Sequence, residues 1–116
     1  MTGIVFFGSV TLEDTVAFYT EQVGATVWLE QPGCTILQYD TFLFGFCSRK
    51  EAETDGTITF VTETPAGVDA FYETLVDRAR GKPRVNDEYD IYQFFASDPE
   101  GRTIEFQTFL HETGPV

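Results

Sequence analysis

A repeat constrains this chain more than any other feature of its sequence. Ala17-Phe18-Tyr19-Thr20-Glu21 and Ala70-Phe71-Tyr72-Glu73-Thr74 are near copies 53 residues apart, and the same offset superposes Phe7 on Phe60. Each Ala-Phe-Tyr follows a short apolar, β-branched run. In a chain of 116 residues, a period near half the length means one supersecondary unit built twice.

The flanking signals repeat in the same order. Gly3 to Ser9 is an apolar run that reads as a strand. Thr11 offers a helix N-cap answered by Asp14, Leu12, Val16, Tyr19 and Val23 follow at helical spacing, and Gly24 supplies the stop. Ala25 to Glu30, Cys34 to Tyr39 and Phe42 to Cys47 are short strand candidates, separated by Gln31-Pro32-Gly33 and Asp40-Thr41. The polar stretch from Arg49 to Gly56 joins the halves. Thr57 to Glu63 then alternates as a half-buried strand does. Thr64 caps a second helix with Pro65 at its first position, where the missing N–H costs nothing. Val68, Phe71, Tyr72, Leu75, Val76 and Ala79 form its apolar stripe, ending before Gly81. Strands are expected near Pro83 to Asp87, Ile91 to Ala96 and Arg102 to Phe109. The turn Asp98-Pro99-Glu100-Gly101 joins the last two.

Strand, helix, strand, strand, strand, built twice, predicts a single α+β domain over residues 1–116. Module one spans about 1–48 and module two about 57–110. Each βαβββ module should bury one sheet face under its helix, leaving two curved mixed sheets around a cleft.

Charge narrows the partners. Nineteen acidic residues against seven basic ones give a net charge of -12, which repels nucleic acid and anionic membrane surfaces. No apolar stretch approaches the roughly 20 residues that span a bilayer. Met1-Thr2-Gly3-Ile4 lacks the basic region and cleavage site of a secretory signal, so a soluble, cytoplasmic protein is expected. Two cysteines are too few for a disulfide-stapled secreted fold. A two-residue turn at Asp40-Thr41 would set Cys34 opposite Cys47 and permit a cross-strand bridge, yet a reducing cytoplasm favours two free thiols.

With the order of elements in place, the chain resembles the vicinal oxygen chelate superfamily of glyoxalase I, bleomycin-resistance proteins, fosfomycin-resistance enzymes and extradiol dioxygenases. The likeness rests on the duplicated βαβββ unit, on Phe18-Tyr19 ahead of Gly24, and on Asp98-Pro99-Glu100-Gly101-Arg102-Thr103-Ile104-Glu105-Phe106. That last run is similar to the family's closing Asp-Pro-x-Gly turn and glutamate-bearing strand. The resemblance covers Ile4 to Phe109. It implies a divalent metal held from the first strand of each unit and the closing glutamate, positions that fall at or beside Ile4, at Thr57 and at Glu105. A further ligand position falls in Phe42 to Cys47, which offers neither carboxylate nor imidazole. The one histidine, His111, lies in the tail. A zinc or non-haem iron site needs about three converging ligands, so no metal cofactor is expected.

Alternation places Thr103, Glu105 and Gln107 on one face of the last strand, with Thr57 and Thr59, and Ile4 and Phe6 from the first strand, as further cleft residues. Glu105 is open to three roles: a general base with its pKa raised by Ile4 and Phe6, an acceptor for a cationic or amine-bearing ligand, or an inherited residue held by Thr57 or Thr59. Trp28, Tyr39, Phe42, Phe44, Phe46, Tyr92 and Phe94 are either core or stacking surfaces, with Trp28 a candidate cleft wall. Three functions follow. The first is a metal-independent small-molecule-binding protein that sequesters its ligand. The second is a glyoxalase-like lyase or isomerase, or a dioxygenase-related enzyme, using Glu105 with or without a non-standard metal site. The third is a scaffold whose cleft is filled by its own side chains. Family kinship and open strand edges imply a homodimer.

An acidic, lysine-poor surface suits either concentrated salt or an ordinary acidic protein. If the chain is salt-adapted, dilution from molar to low salt should unfold it. A melting temperature unchanged across that range excludes the idea.

Overall fold

A computed structural model describes all residues, Met1–Val116. The elements are β1 (Ile4–Ser9), α1 (Leu12–Phe18), β2 (Thr26–Gln31), β3 (Cys34–Tyr39), β4 (Phe42–Ser48), β5 (Thr57–Val61), α2 (Pro65–Thr74), β6 (Arg84–Asn86), β7 (Ile91–Ser97) and β8 (Thr103–Phe109). They form two compact units, one of Met1–Asp55 with Asp98–Gly101, the other of Gly56–Ser97 with Arg102–Val116. Each holds a four-stranded mixed sheet, ordered β1-β4-β3-β2 in the first and β5-β8-β7-β6 in the second. The order is the same permutation twice, as the repeat requires, and the fold is α+β.

In both units the opening strand pairs parallel with the closing one: Phe7 lies beside Phe46 in one, Phe60 beside Phe106 in the other. The repeated tyrosines both pack edge-on against a phenylalanine, though of different strands: Tyr19 meets Phe44 of β4 at 5.4 Å between ring centres, and Tyr72 meets Phe94 of β7 at 5.5 Å. Phe44, Phe46, Phe60, Phe94 and Phe106 are all buried. Of the seven aromatics open to two readings, Phe44, Phe46 and Phe94 are thus core residues.

Thr64 caps α2 as expected, its hydroxyl accepting the Gly67 N–H at 3.2 Å. The start of α1 differs from expectation. Thr11 occupies the N-cap position, but its side chain makes no capping bond. The Glu100 carboxylate instead takes the part expected of Asp14, accepting the N-cap N–H: its Oε2 accepts the N–H groups of Val10 (2.8 Å) and Thr11 (3.2 Å). Its Oε1 accepts the hydroxyls of Ser9 (2.7 Å) and Thr15 (3.0 Å). An anion at a helix N-terminus is favourable because the unpaired N–H groups carry partial positive charge. This also accounts for Thr15, fully buried on a face assigned from sequence to Leu12 and Val16. The turn that carries Glu100 closes with the Gly101 N–H on the Asp98 carbonyl at 3.0 Å, and the Asp98 side chain accepts the buried Tyr19 hydroxyl at 2.7 Å.

Both helices end otherwise than helical spacing suggests. After Phe18 the chain widens into a π-helical turn, Tyr19–Val23, stopped by left-handed Gly24 (φ 92°). The α2 stripe was expected to continue through Val76 and Ala79, but the helix stops at Thr74 and a 3-10 turn follows over Val76–Arg78. The sheet captures the backbone here: Ala79 bridges Ala96, and the Arg80 N–H donates to the Phe95 carbonyl at 2.8 Å. Val76 is left half exposed.

The register across the Asp40-Thr41 turn is the expected one, with Tyr39 facing Phe42 and Cys34 facing Cys47. The free-thiol expectation is corrected: the two cysteines are joined as a cross-strand disulfide with their Cα atoms 4.0 Å apart. Register alone brings the sulfurs together, whatever compartment was assumed. No helix is long and apolar enough to cross a membrane.

Replacing Glu100 by Ala should cost about 2 kcal/mol: the Val10 and Thr11 N–H groups lose their protein acceptor, and of the Ser9 and Thr15 hydroxyls, 3.1 Å apart, only one can donate to the other. Glu100→Gln should cost roughly half that, since the Ser9 and Thr15 hydroxyls can turn to accept from the new amide. Urea midpoints measure both, and values no larger than for an ordinary surface substitution would exclude this role.

Candidate functional site

In the second unit α2 covers one face of the sheet, where Phe71 stacks on Phe106 at 4.4 Å and Ile58, Phe60, Phe94 and Ile104 are buried. Alternation sends the intervening residues to the opposite face. Thr57, Thr59, Thr103, Glu105 and Gln107 share it, as their sequence positions suggested, and β7 adds Ile91, Gln93 and Phe95. A hollow of about 590 Å³ opens on this face, within the range of small-molecule sites. Ile91, Phe95, Phe109 and Tyr89 form its apolar lining, and Thr57, Asn86, Gln93, Glu105 and Gln107 its polar one.

Glu105 is the one carboxylate in that lining, and it is buried, 7% exposed. Its Oε1 accepts the Thr59 hydroxyl at 2.7 Å and its Oε2 accepts the Gln93 side-chain amide. Of the two threonines weighed as its holder, Thr59 makes the bond. Gln93 is fixed in turn: Asn86 Nδ2 donates to its Oε1 at 2.9 Å, while Asn86 Oδ1 accepts the backbone N–H groups of Glu88 (3.1 Å) and Tyr89 (3.4 Å). A backbone N–H can only donate, so the polarity of the relay is set from its outer end. Asn86 must turn its oxygen to the backbone, Gln93 must turn its oxygen to Asn86, and an N–H of Gln93 must point at Glu105. Both donors to Glu105 are neutral, and a carboxylate has about four acceptor sites, so about two remain for a ligand.

No protein-family model matches the chain, and no curated protein matches it in sequence. Solved structures do. Over 100% of its length the chain superposes on 87% of a glyoxalase/bleomycin resistance protein/dioxygenase from Nocardioides, with a TM-score of 0.76 at 18% identity. A glyoxalase/bleomycin resistance protein/dioxygenase family enzyme from Burkholderia phytofirmans PsJN gives 0.80 at 17% identity, over 92% of this chain and 97% of that one. The lactoylglutathione lyase of Agrobacterium tumefaciens gives 0.74 at 16% identity, over 93% and 92%. The chain has the vicinal oxygen chelate fold.

Within the vicinal oxygen chelate fold, the positions expected to hold a metal carry Ile4, Thr57 and Glu105, one carboxylate in all. No group of three or more His, Cys, Asp or Glu side chains converges anywhere in the chain. Such a donor set does not fit a zinc or non-haem iron ion, which takes about three such ligands. His111 is exposed in the tail, with Nδ1 3.0 Å from the Glu112 carbonyl oxygen.

The remaining candidates lie in the first unit. Ile4 and Phe6 are partly exposed on β1, 37% and 47%. By register the counterpart of the Thr59–Glu105 pair is Phe6–Gly45. There the Phe6 ring covers Gly45 so closely that a Cβ would stand 2.6 Å from it. Trp28 sits where the β2–β3 register slips between Val27 and Leu29. It is a bulge residue, and 43% exposed. Asn86 and Gln93, which complete the relay, escaped the sequence reading. Their one signal was a lone amide, Gln93, inside the apolar run Ile91–Ala96.

Asn86→Asp removes the donor that orients Gln93 and sets a second carboxylate against its amide oxygen. The expected cost is about 1 to 2 kcal/mol in urea denaturation, with a large shift of the Gln93 side-chain amide signals in NMR. Unmoved Gln93 signals would refute the relay.

Proposed function

We propose that this chain is a metal-independent binding protein for a small molecule, held on the open face of the second sheet and sequestered rather than transformed. One observation carries the reading. Glu105 is a buried carboxylate, fixed by neutral donors, with acceptor capacity left at the edge of a largely apolar hollow. A group so placed favours a ligand bearing an ammonium or another strong N–H donor, because a charge-assisted bond is stronger where water is scarce. The net charge of -12 draws cations toward it. Metal independence is supported by the donor chemistry at Ile4, Thr57 and Glu105.

Fold alone does not choose between binding and catalysis. The likeness to a lactoylglutathione lyase supports a second reading, in which Glu105 is the general base of a lyase or isomerase.

Two measurements separate these. Purified in high salt, incubated with Zn, Ni, Mn and Fe(II) and desalted, the protein should retain no metal. About one tightly held ion per chain would make a metal-dependent enzyme the better reading. In a thermal-shift screen of small amines and amides, Glu105→Gln should weaken the best binder by about tenfold or more. A variant that still binds but loses turnover would instead establish the lyase or isomerase.

A further inference from the structure

The seven basic residues of this acidic chain are not scattered. Arg78, Arg80, Lys82 and Arg84 fall within seven positions that contain no acidic residue. Three of them, Arg80, Lys82 and Arg84, line a second hollow of about 280 Å³, together with Gln93 and Phe95. Gln93 and Phe95 also line the hollow that holds Glu105. The two hollows are therefore contiguous along β7.

The strand ladder shows which face these cations serve. Arg84 pairs with Gln93 across β6 and β7, so the two side chains leave the sheet on the same side. Arg80 is laid against that side as well: its Nε donates to Ser97 Oγ and its Nη1 to Thr103 Oγ1, both at 2.8 Å. Ser97 and Thr103 face each other, and the next pair on that face is Phe95 with Glu105. Two residues along a strand is about 7 Å. A guanidinium and a buried carboxylate thus stand roughly one small molecule apart on one surface. Both partners of Arg80 are neutral hydroxyls, which fix its plane and leave its charge uncompensated. Three of its five N–H donors remain for a ligand. Arg84 reaches back toward the same turn, its Nη2 3.7 Å from the place a Cβ on Gly81 would occupy.

Resting on the binding function proposed above, we infer that Arg80, Lys82 and Arg84 form an anion-recognising rim, and that the ligand is amphoteric. It would carry a carboxylate or phosphate at the rim and a hydrogen-bond-donating, cationic group at Glu105, with an apolar body between them over Phe95. Planar guanidinium forks suit either anion, binding it through two parallel N–H bonds. In a chain of net charge -12, an anionic ligand would be repelled everywhere except beside such a cluster.

Backbone-amide NMR titrations with benzoate, phenyl phosphate, benzylamine and para-aminomethylbenzoate test this. Benzoate and phenyl phosphate should shift and saturate the amides of Arg80 to Arg84, and the tighter of the two identifies the anion class. The double variant Lys82→Gln/Arg84→Gln should weaken both by about tenfold or more and leave benzylamine unchanged, while Glu105→Gln should do the reverse. Para-aminomethylbenzoate should bind more tightly than either single-charge probe. If benzylamine saturates while the anions leave those amides unmoved, or if the double variant binds the anions as the parent does, the rim is overturned and the Glu105 reading stands. If the anions bind and benzylamine does not, the rim stands and Glu105 is not the ligand's acceptor. Silence from all four probes overturns both.

Discussion

In each unit the first strand must lie parallel to the last. Parallel neighbours cannot be joined by a tight turn, so the chain has to cross over between them. In both units that crossover contains the helix, which roofs one face of the sheet and leaves the other uncovered. This division gives the aromatic layer its place, with Phe46 and Phe106 under the helices. It also places Glu105, one residue away, on the opposite side. Period-two alternation turns a requirement of chain connectivity into a binding surface.

The sequence was most legible where a physical rule acts locally. The two-residue turn at Asp40-Thr41 predicted the pairing of Cys34 with Cys47, and alternation put Thr103, Glu105 and Gln107 on one face. Thr64 with Pro65 announced the start of α2. What stayed hidden involved partners remote in sequence. The cap of α1 comes from Glu100, 89 residues beyond Thr11, where sequence offered the nearer Asp14. The end of α2 is decided by a bridge to Ala96, which helical spacing cannot register. Gln93 and Asn86 were missed for a related reason: an amide becomes part of a site only through the neighbour it orients, and that neighbour lies on another strand.

Between the two copies the structure records a difference in chemistry. Equivalent places hold Glu105 in one unit and Gly45 in the other, and the side chains beside them are Thr59 and Phe6. Where one sheet presents a carboxylate held by hydroxyl and amide, the other presents an aromatic ring against a glycine. The strand order is the same in both units, while the polarity of one face differs. A ladder depends on main-chain bonds common to all residues, whereas the character of an outward face depends on a few side chains.

The turn Asp98–Gly101 has a consequence for how the protein is made. It belongs to the first unit, though the chain reaches it only after β7. A ribosome that has delivered Met1 to Asp55 has made every strand of that unit. It has not yet made the carboxylate that α1 requires or the acceptor for the Tyr19 hydroxyl. The half that is first to emerge therefore cannot be first to finish. Residues 1–55, severed as a fragment, would lack the Glu100 carboxylate that accepts from Ser9, Val10, Thr11 and Thr15, and the Asp98 carboxylate that accepts the Tyr19 hydroxyl. The two halves are alike in plan, yet this loop makes the earlier one wait for the later.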